Sequence, residues 1–253
     1  SLQEGYFPSV YKTAKITPIY KGKGRREDKA SYRPISGLSS IGKILETVVS
    51  IQLKEYCEKN QILKQVQHGF RPGRSTTSTL LSSLINWQTA KENKKWTGCL
   101  LFDLSAAYDT ISPSILLAKA KKYGLDNVSL NWLKSYLDQR SQVVKINQDL
   151  SKRKILECGI PQGSSISCLL FILYTNDLVE CVKDGQLQVY ADDTMLYISD
   201  KDPTAVINRL EAQAKVIFEY FSCNSLVANP TKTAFLMFGP GTRERQEKYA
   251  IIV

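Results

Sequence analysis

Three aspartates stand where carboxylates can do chemistry. Asp103 ends the apolar run Cys99-Leu100-Leu101-Phe102, and Asp192-Asp193 joins two strand-like runs, 186–191 and 194–199. Acids at the ends of core strands need neutralising, and hard divalent cations bound through oxygen are the usual means. Two such ions bridged by these acids would support an in-line phosphoryl displacement, activating the attacking hydroxyl and stabilising the leaving group. Taken alone, Asp-Asp between two strands is more often a solvated turn, so the pair needs its neighbours to decide the matter.

Other chemistries find less support. His68 is the one histidine of the chain and has no nucleophile context, which argues against a catalytic triad. The six cysteines (57, 99, 158, 168, 181 and 223) are scattered without a C-x-x-C spacing, so they read as reduced thiols of an intracellular protein. No apolar run approaches the roughly 18 residues of a membrane span. The sequence begins without Met and without a signal-peptide pattern, as the interior of a longer reading frame would.

Charge is unevenly placed. The chain of 253 residues carries 34 Lys+Arg against 24 Asp+Glu. Residues 12–33 hold eight basic and two acidic residues, and residues 119–154 hold nine and three, leaving the remainder slightly acidic. Two basic segments apart from the carboxylates suit a groove for a polyphosphate backbone, and equally suit solvated lysine-rich faces.

The elements that must position these groups can be outlined. Residues 13–20 read as an edge strand, because Pro18 cannot donate to a central ladder. A helix is predicted over 40–59 with Ile41, Ile44, Leu45 and Val48 at helical spacing. A second is predicted over 75–92 with Leu80, Leu81, Leu84 and Trp87 on one face. Ser112-Pro113 opens a helix that Gly124 closes, and another fits 128–138. Residues 142–146 and 154–157 alternate like a hairpin, and 164–182 reads as one strongly apolar helix. Asp202-Pro203 starts a long helix with the stripe Val206, Leu210, Ala214, Ile217 and Phe221, and 234–238 is a last strand. An antiparallel hairpin among helices makes α+β the expected class, and no linker divides the chain.

The neighbours of the aspartates carry a resemblance. Phe102-Asp103-Leu104-Ser105-Ala106-Ala107-Tyr108-Asp109, then Gly159-Ile160-Pro161-Gln162-Gly163-Ser164, then Tyr190-Ala191-Asp192-Asp193-Thr194 occur in this order. Ser31-Tyr32-Arg33-Pro34-Ile35-Ser36, Gln67-His68-Gly69-Phe70-Arg71-Pro72-Gly73-Arg74-Ser75-Thr76 and Asn229-Pro230-Thr231-Lys232-Thr233 complete the set. Over about 10–240 the chain resembles the reverse transcriptases, and among them the non-LTR (LINE-like) retrotransposon polymerases.

The resemblance implies a right-hand polymerase core: fingers over 1–98 with 140–160 contributing, palm over 99–139 and 161–240, and the start of a thumb or tail over 241–253. It implies that Asp103, Asp192 and Asp193, with the Leu104 carbonyl, hold two Mg²⁺ ions, with Mn²⁺ as a substitute, and that Lys232 protonates or screens the departing pyrophosphate. Tyr108 resembles the steric gate that excludes a 2′-hydroxyl. Arg33, Lys21, Lys23, Gln162 and Gly163 would meet the incoming dNTP. Arg71, Arg74, Pro161 and Tyr190 would face template and primer. The implied partners are an RNA template, a DNA primer and dNTPs, with no membrane, no stable protein partner, and a nuclear or cytoplasmic location.

The chain departs from the family pattern at Ala106, where Lys is common, at Tyr108, where Phe is common, and at Cys168, where a proline usually stands. None of these is an implied metal ligand. The competing readings are a viral RNA-dependent RNA polymerase, whose hairpin usually reads Gly-Asp-Asp, and a group II intron or retron enzyme. A non-catalytic nucleic-acid-binding descendant, or an unrelated metal-dependent phosphotransferase, would be expected to lack or to add carboxylates at the Asp site.

Overall fold

A computed structural model describes residues 1–229 and 232–240. In chain order the strands and helices are β1 (Thr13–Tyr20), β2 (Tyr32–Gly37), α1 (Ser40–Lys59), α2 (Thr76–Glu92), β3 (Trp96–Phe102), β4 (Leu104–Ser105) and α3 (Pro113–Lys122). They continue with α4 (Asn127–Leu137), β5 (Ser141–Ile146), β6 (Asp149–Leu150), β7 (Lys154–Ile155), α5 (Ser167–Tyr174) and α6 (Leu178–Cys181). β8 (Gln186–Tyr190), β9 (Asp193–Asp200), α7 (Pro203–Cys223), β10 (Val227–Ala228) and β11 (Ala234–Phe238) complete the order. The class is α+β, as expected. The expected thumb or tail segment, 241–253, and Pro230-Thr231 of the late motif lie outside the described residues.

The chain forms two compact units, one from residues 1–62 and 108–174, the other from 63–107 and 175–253. This division differs from the fingers and palm segments expected from sequence, and it places 63–98 with the carboxylate-bearing strands.

The first unit is built on the sheet β2-β1-β5-β6, with β7 also paired to β5. β1 is antiparallel to β2 and parallel to β5, so it is a central strand and not the edge expected from Pro18. The proline is accommodated because β5 pairs only with Thr13–Ile16, and Pro18 lies beyond that ladder, opposite Pro34. α3 starts at Pro113 and ends against Gly124 at φ +87°, the left-handed conformation that glycine tolerates best. Phe7, Trp132 and Tyr136 pack edge-on and stacked at 5.1–5.5 Å, fixing α4 to the N-terminal segment.

The second unit is built on the antiparallel sheet β11-β3-β9-β8, against which α7 packs. β3 lies between two neighbours, and Cys99, Leu100 and Phe102 are buried, which matches its unbroken apolar run. The α7 stripe Val206, Leu210, Ala214, Ile217 and Phe221 is buried as expected, and each large side chain contributes about 1.5–3 kcal/mol on burial. Asp202 caps the helix through Thr204 N–H at 3.0 Å.

Three further sequence expectations are corrected. The predicted 164–182 helix is two, α5 and α6, parted at Thr175-Asn176-Asp177. Asn176 Oδ1 there accepts the backbone N–H of Lys64 at 2.9 Å, and Tyr220 Oη donates to Asp177 at 2.6 Å. The break coincides with the boundary between the units. On α1 the predicted apolar stripe is turned outward: Ile41, Ile44 and Val48 are exposed, while Gly42, Glu46, Leu53 and Cys57 are buried. On α2, likewise, Leu80, Leu81 and Leu84 are exposed, and the buried positions are Ser83 and Ala90.

Candidate active site

The carboxylates gather in the second unit through strand pairing alone. β3 and β9 are in antiparallel register, with Phe102 opposite Thr194, so Asp103 and Asp193 each lie one step beyond the end of the ladder. β8 returns from β9 with Tyr190 opposite Asp193, leaving Ala191-Asp192 as a two-residue loop. Of these two, only Ala191 has positive φ (+59°). Asp103 is held from the other side, since its carbonyl accepts the N–H of Asn229 at 2.7 Å. Leu104 is buried and pairs with Ala228 between β4 and β10.

The electrostatics follow from that crowding. Desolvation of the Asp193 carboxyl, then the negative charges of Asp192 and Asp103, push its pKa above the ordinary carboxylate value. Lys232 opposes this, and its Nζ donates to Asp103 Oδ2 at 2.6 Å in a half-exposed ion pair. Among the described residues no three acid, histidine or cysteine side chains are drawn together tightly enough to hold an ion as they stand. The donor chemistry nevertheless fits a hard dication. Three coupled carboxylates supply only oxygen, and their mutual repulsion is what a dication relieves.

The 63–74 segment sits beside this hairpin. Val189 N donates to Val66 O at 2.9 Å and His68 N to Val189 O at 2.8 Å, a short parallel bridge onto the end of β8. Arg71 donates to the Lys64 carbonyl at 2.9 Å, and Arg74 to the carbonyls of Gln65 at 2.5 Å and Gln67 at 3.3 Å and to the Gln65 side chain. Both arginines, expected at the template, thus fold their own loop. Burial, then the charges of Arg74 and Arg71, hold the His68 pKa below its usual value. Gln67, which sequence reasoning passed over, is buried, and its side-chain oxygen accepts Gly69 N–H at 2.7 Å and Ala191 N–H at 3.1 Å. Its one signal in the sequence was its place in the 67–76 block.

The remaining site residues lie in the first unit. The turn 158–163 is docked on 108–111: Gly159 N donates to Ile111 O and Ile160 N to Tyr108 O, each at 2.8 Å. A side chain at Gly159 would meet the Asp109 backbone at 3.0 Å, so the approach requires glycine. Gln162 Nε2 lies 3.3 and 3.4 Å from the two Asp109 carboxylate oxygens, and its carbonyl accepts Ser36 N–H at 2.9 Å. Burial raises the Asp109 pKa, and the Gln162 hydrogen bond offsets part of this. Pro161 is buried, and Gly163 is exposed at φ +104°. The Tyr108 ring stacks on buried Phe171 at 5.3 Å and 19°, and its hydroxyl donates to Cys168 Sγ at 3.4 Å. Arg33 is exposed on β2, opposite Ile19. Lys21 Nζ is occupied by the Ala30 carbonyl at 2.7 Å, and Lys23 is exposed.

Comparison with known proteins gives the family and the fold. The family model described as reverse transcriptase (RNA-dependent DNA polymerase) matches residues 20–250. A probable RNA-directed DNA polymerase from transposon BS of Drosophila melanogaster is 29% identical over 245 residues, 92% of this chain and 26% of that protein. The probable polymerase from transposon X-element of the same fly is 34% identical over 74% of this chain and 21% of its own length. The polymerase from mobile element jockey is 28% identical over 95% of this chain and 27% of its own length. The chain therefore spans about a quarter of the length of these curated relatives. Among solved structures, telomerase from Candida albicans in complex with a telomeric RNA fragment superposes with TM-score 0.66 at 16% identity, covering 91% of this chain and 44% of that one. Telomerase from Candida tropicalis in a similar complex gives TM-score 0.63 at 14% identity over 93% and 42%. At these identities the likeness is one of fold.

Proposed function

Because the chain belongs to the reverse transcriptase (RNA-dependent DNA polymerase) family, with relatives among the non-LTR retrotransposon polymerases, we propose that it is the catalytic core of an RNA-directed DNA polymerase. It would extend a DNA primer on an RNA template from dNTPs. The observation that carries this reading is the convergence of Asp103, Asp192 and Asp193 at the ends of adjacent strands, close enough for the first two to raise the pKa of the third. A binding-only descendant has no need to keep three mutually repelling carboxylates.

In this reading Asp103, Asp192, Asp193 and the Leu104 carbonyl hold the metal ions. Two Mg²⁺ ions bound there, or Mn²⁺ in their place, supply Lewis acidity at the attacking and leaving oxygens. Lys232, whose ammonium reaches Asp103 Oδ2, would give a proton to the pyrophosphate or screen it, a role its ion pair with a metal-binding aspartate supports. Tyr108, braced by Phe171, excludes a 2′-hydroxyl, so dNTPs are selected over rNTPs. Gln162 and Gly163 present the docked 158–163 turn to the nucleotide, and Arg33, on the exposed side of β2, offers a guanidinium fork to its triphosphate. Lys23 belongs with Arg33. Lys21 would do so with the N–H donors that its bond to the Ala30 carbonyl leaves over. Tyr190 and Pro161 are assigned to the primer and template. The fingers and palm segments are kept as expected from the family pattern, with a nuclear or cytoplasmic site of action.

The test is primer extension. Purified protein with Mg²⁺, oligo(rA) and oligo(dT) is expected to incorporate dTTP, and Asp192→Asn to abolish incorporation while leaving primer–template binding intact. Wild-type protein that binds primer–template and never extends it would sink the proposal.

A further inference from the structure

The loop is Ala191-Asp192 and not the Asp192-Asp193 joint expected from sequence, since Asp193 already pairs with Tyr190, and it is built on an unfavourable residue. A two-residue hairpin loop with positive φ at its first position alone has the pattern of a type II′ turn, whose first position ordinarily takes glycine. Here that position is Ala191, buried and at φ +59°. A residue with a Cβ persists in that conformation only where its surroundings over-determine it.

The surroundings do so through one side chain. Gln67 is 3% exposed, and its Oε1 accepts the N–H of Ala191 at 3.1 Å and of Gly69 at 2.7 Å. Either side of it the backbone is pinned to β8, by Val189 N to Val66 O and His68 N to Val189 O. Arg74, donating to the Gln67 and Gln65 carbonyls, and Arg71, donating to that of Lys64, fix the loop that presents this glutamine. The approach is so close that a Cβ on Gly69 would stand 2.4 Å from Ala191 N. The glycine is needed there for space and the glutamine for its acceptor.

We propose that Gln67 is a positioning residue for the metal-binding carboxylates, fixing the left-handed residue from which Asp192 and Asp193 project. This rests on the polymerase reading of those aspartates. Three carboxylates that repel one another spread if the turn is free, and the carbonyl of Gln67 ties the turn to a loop that does not itself carry the charge. Gln67 acts through Ala191, whose N–H its side-chain oxygen accepts.

The experiment has three readouts: hydrogen exchange at the Ala191 amide, Mn²⁺ binding followed by electron paramagnetic resonance, and steady-state extension. In wild-type protein the Ala191 amide is expected to exchange slowly despite its place in a hairpin loop. Gln67→Leu, similar in size and without an acceptor, is expected to accelerate that exchange, and to weaken Mn²⁺ binding and lower kcat by about 10- to 100-fold. KM for primer–template should stay within about two-fold, because the change acts through the metal ligands and not through the template. Gly69→Ala should give the same pattern while leaving Gln67 in place. The proposal is overturned if wild-type Ala191 exchanges like an unprotected peptide amide, or if folded variants keep wild-type Mn²⁺ affinity and kcat. Should Gln67→Leu not fold, wild-type exchange and Gly69→Ala decide. Should wild type extend no primer, the polymerase reading fails, while exchange and Mn²⁺ binding still judge the tether.

Discussion

At the scale of the residue, the structure separates groups that touch the site from groups that hold it. Asp103 and Asp192 lie near enough to Asp193 to raise its pKa, and Lys232 forms an ion pair of 2.6 Å with Asp103. Arg71 and Arg74 donate to carbonyls of their own loop. Their sequence context could not reveal this, because a guanidinium fork suits a backbone carbonyl as well as a phosphate. Tyr108 and Cys168, two positions that depart from the family pattern, meet through a hydroxyl–thiol hydrogen bond of 3.4 Å. With its ring stacked on Phe171, Tyr108 has little freedom to rotate. Tyr108→Ala is expected to relax discrimination against rNTPs by ~10-fold or more, read as the ratio of kcat/KM for dTTP and UTP. Unchanged selectivity would assign the ring to packing alone.

At the scale of the element, periodicity located the helices and misjudged two of their faces. The α7 stripe is buried as its spacing requires, because its partner sheet covers that face. Gly98 on β3 shows how closely: a Cβ there would stand 2.6 Å from Leu210 and 2.7 Å from Val206. On α1 and α2 the spacing was equally helical, yet Ile44 and Leu81 are 64% and 56% exposed. Apolar residues at helical spacing specify a face but not what covers it. Leu210→Ala is therefore expected to cost about 2–5 kcal/mol by urea unfolding. Leu81→Gln on the outward face of α2 is expected within about 0.5 kcal/mol of wild type in the same measurement. A large loss for Leu81→Gln would mean that α2 is covered in solution. The Pro18 expectation failed for a related reason: edge and centre depend on how far the neighbouring strand extends, and β5 stops before the proline.

At the scale of the whole molecule, charge and carboxylates are divided between the two compact units. The unit of residues 1–62 and 108–174 has 20 Lys+Arg against 11 Asp+Glu, whereas the carboxylate-bearing unit has 14 against 13. Nearly all of the net charge of +10 thus belongs to the first, which contains both basic segments seen in the sequence. If those segments grip a phosphate backbone, changing Lys152, Arg153 and Lys154 together to Gln should weaken primer–template binding uniformly across sequences. It should also lower the slope of log K against log salt by ~1 for each phosphate no longer neutralised. An unchanged slope would make that stretch a solvated face. The sequence by itself determined the order of the motifs, the apolar strand that leads to Asp103, the long apolar face of α7 and the family, because each depends on neighbours close along the chain. Only the tertiary structure decided that β1 is central, that most of the apolar stripes of α1 and α2 is exposed while Trp87 packs on Tyr197 and Phe238, and that Gln67 reaches Ala191 across 124 positions. Those outcomes depend on which distant segment occupies the adjoining space, and residue spacing along the chain carries no record of it.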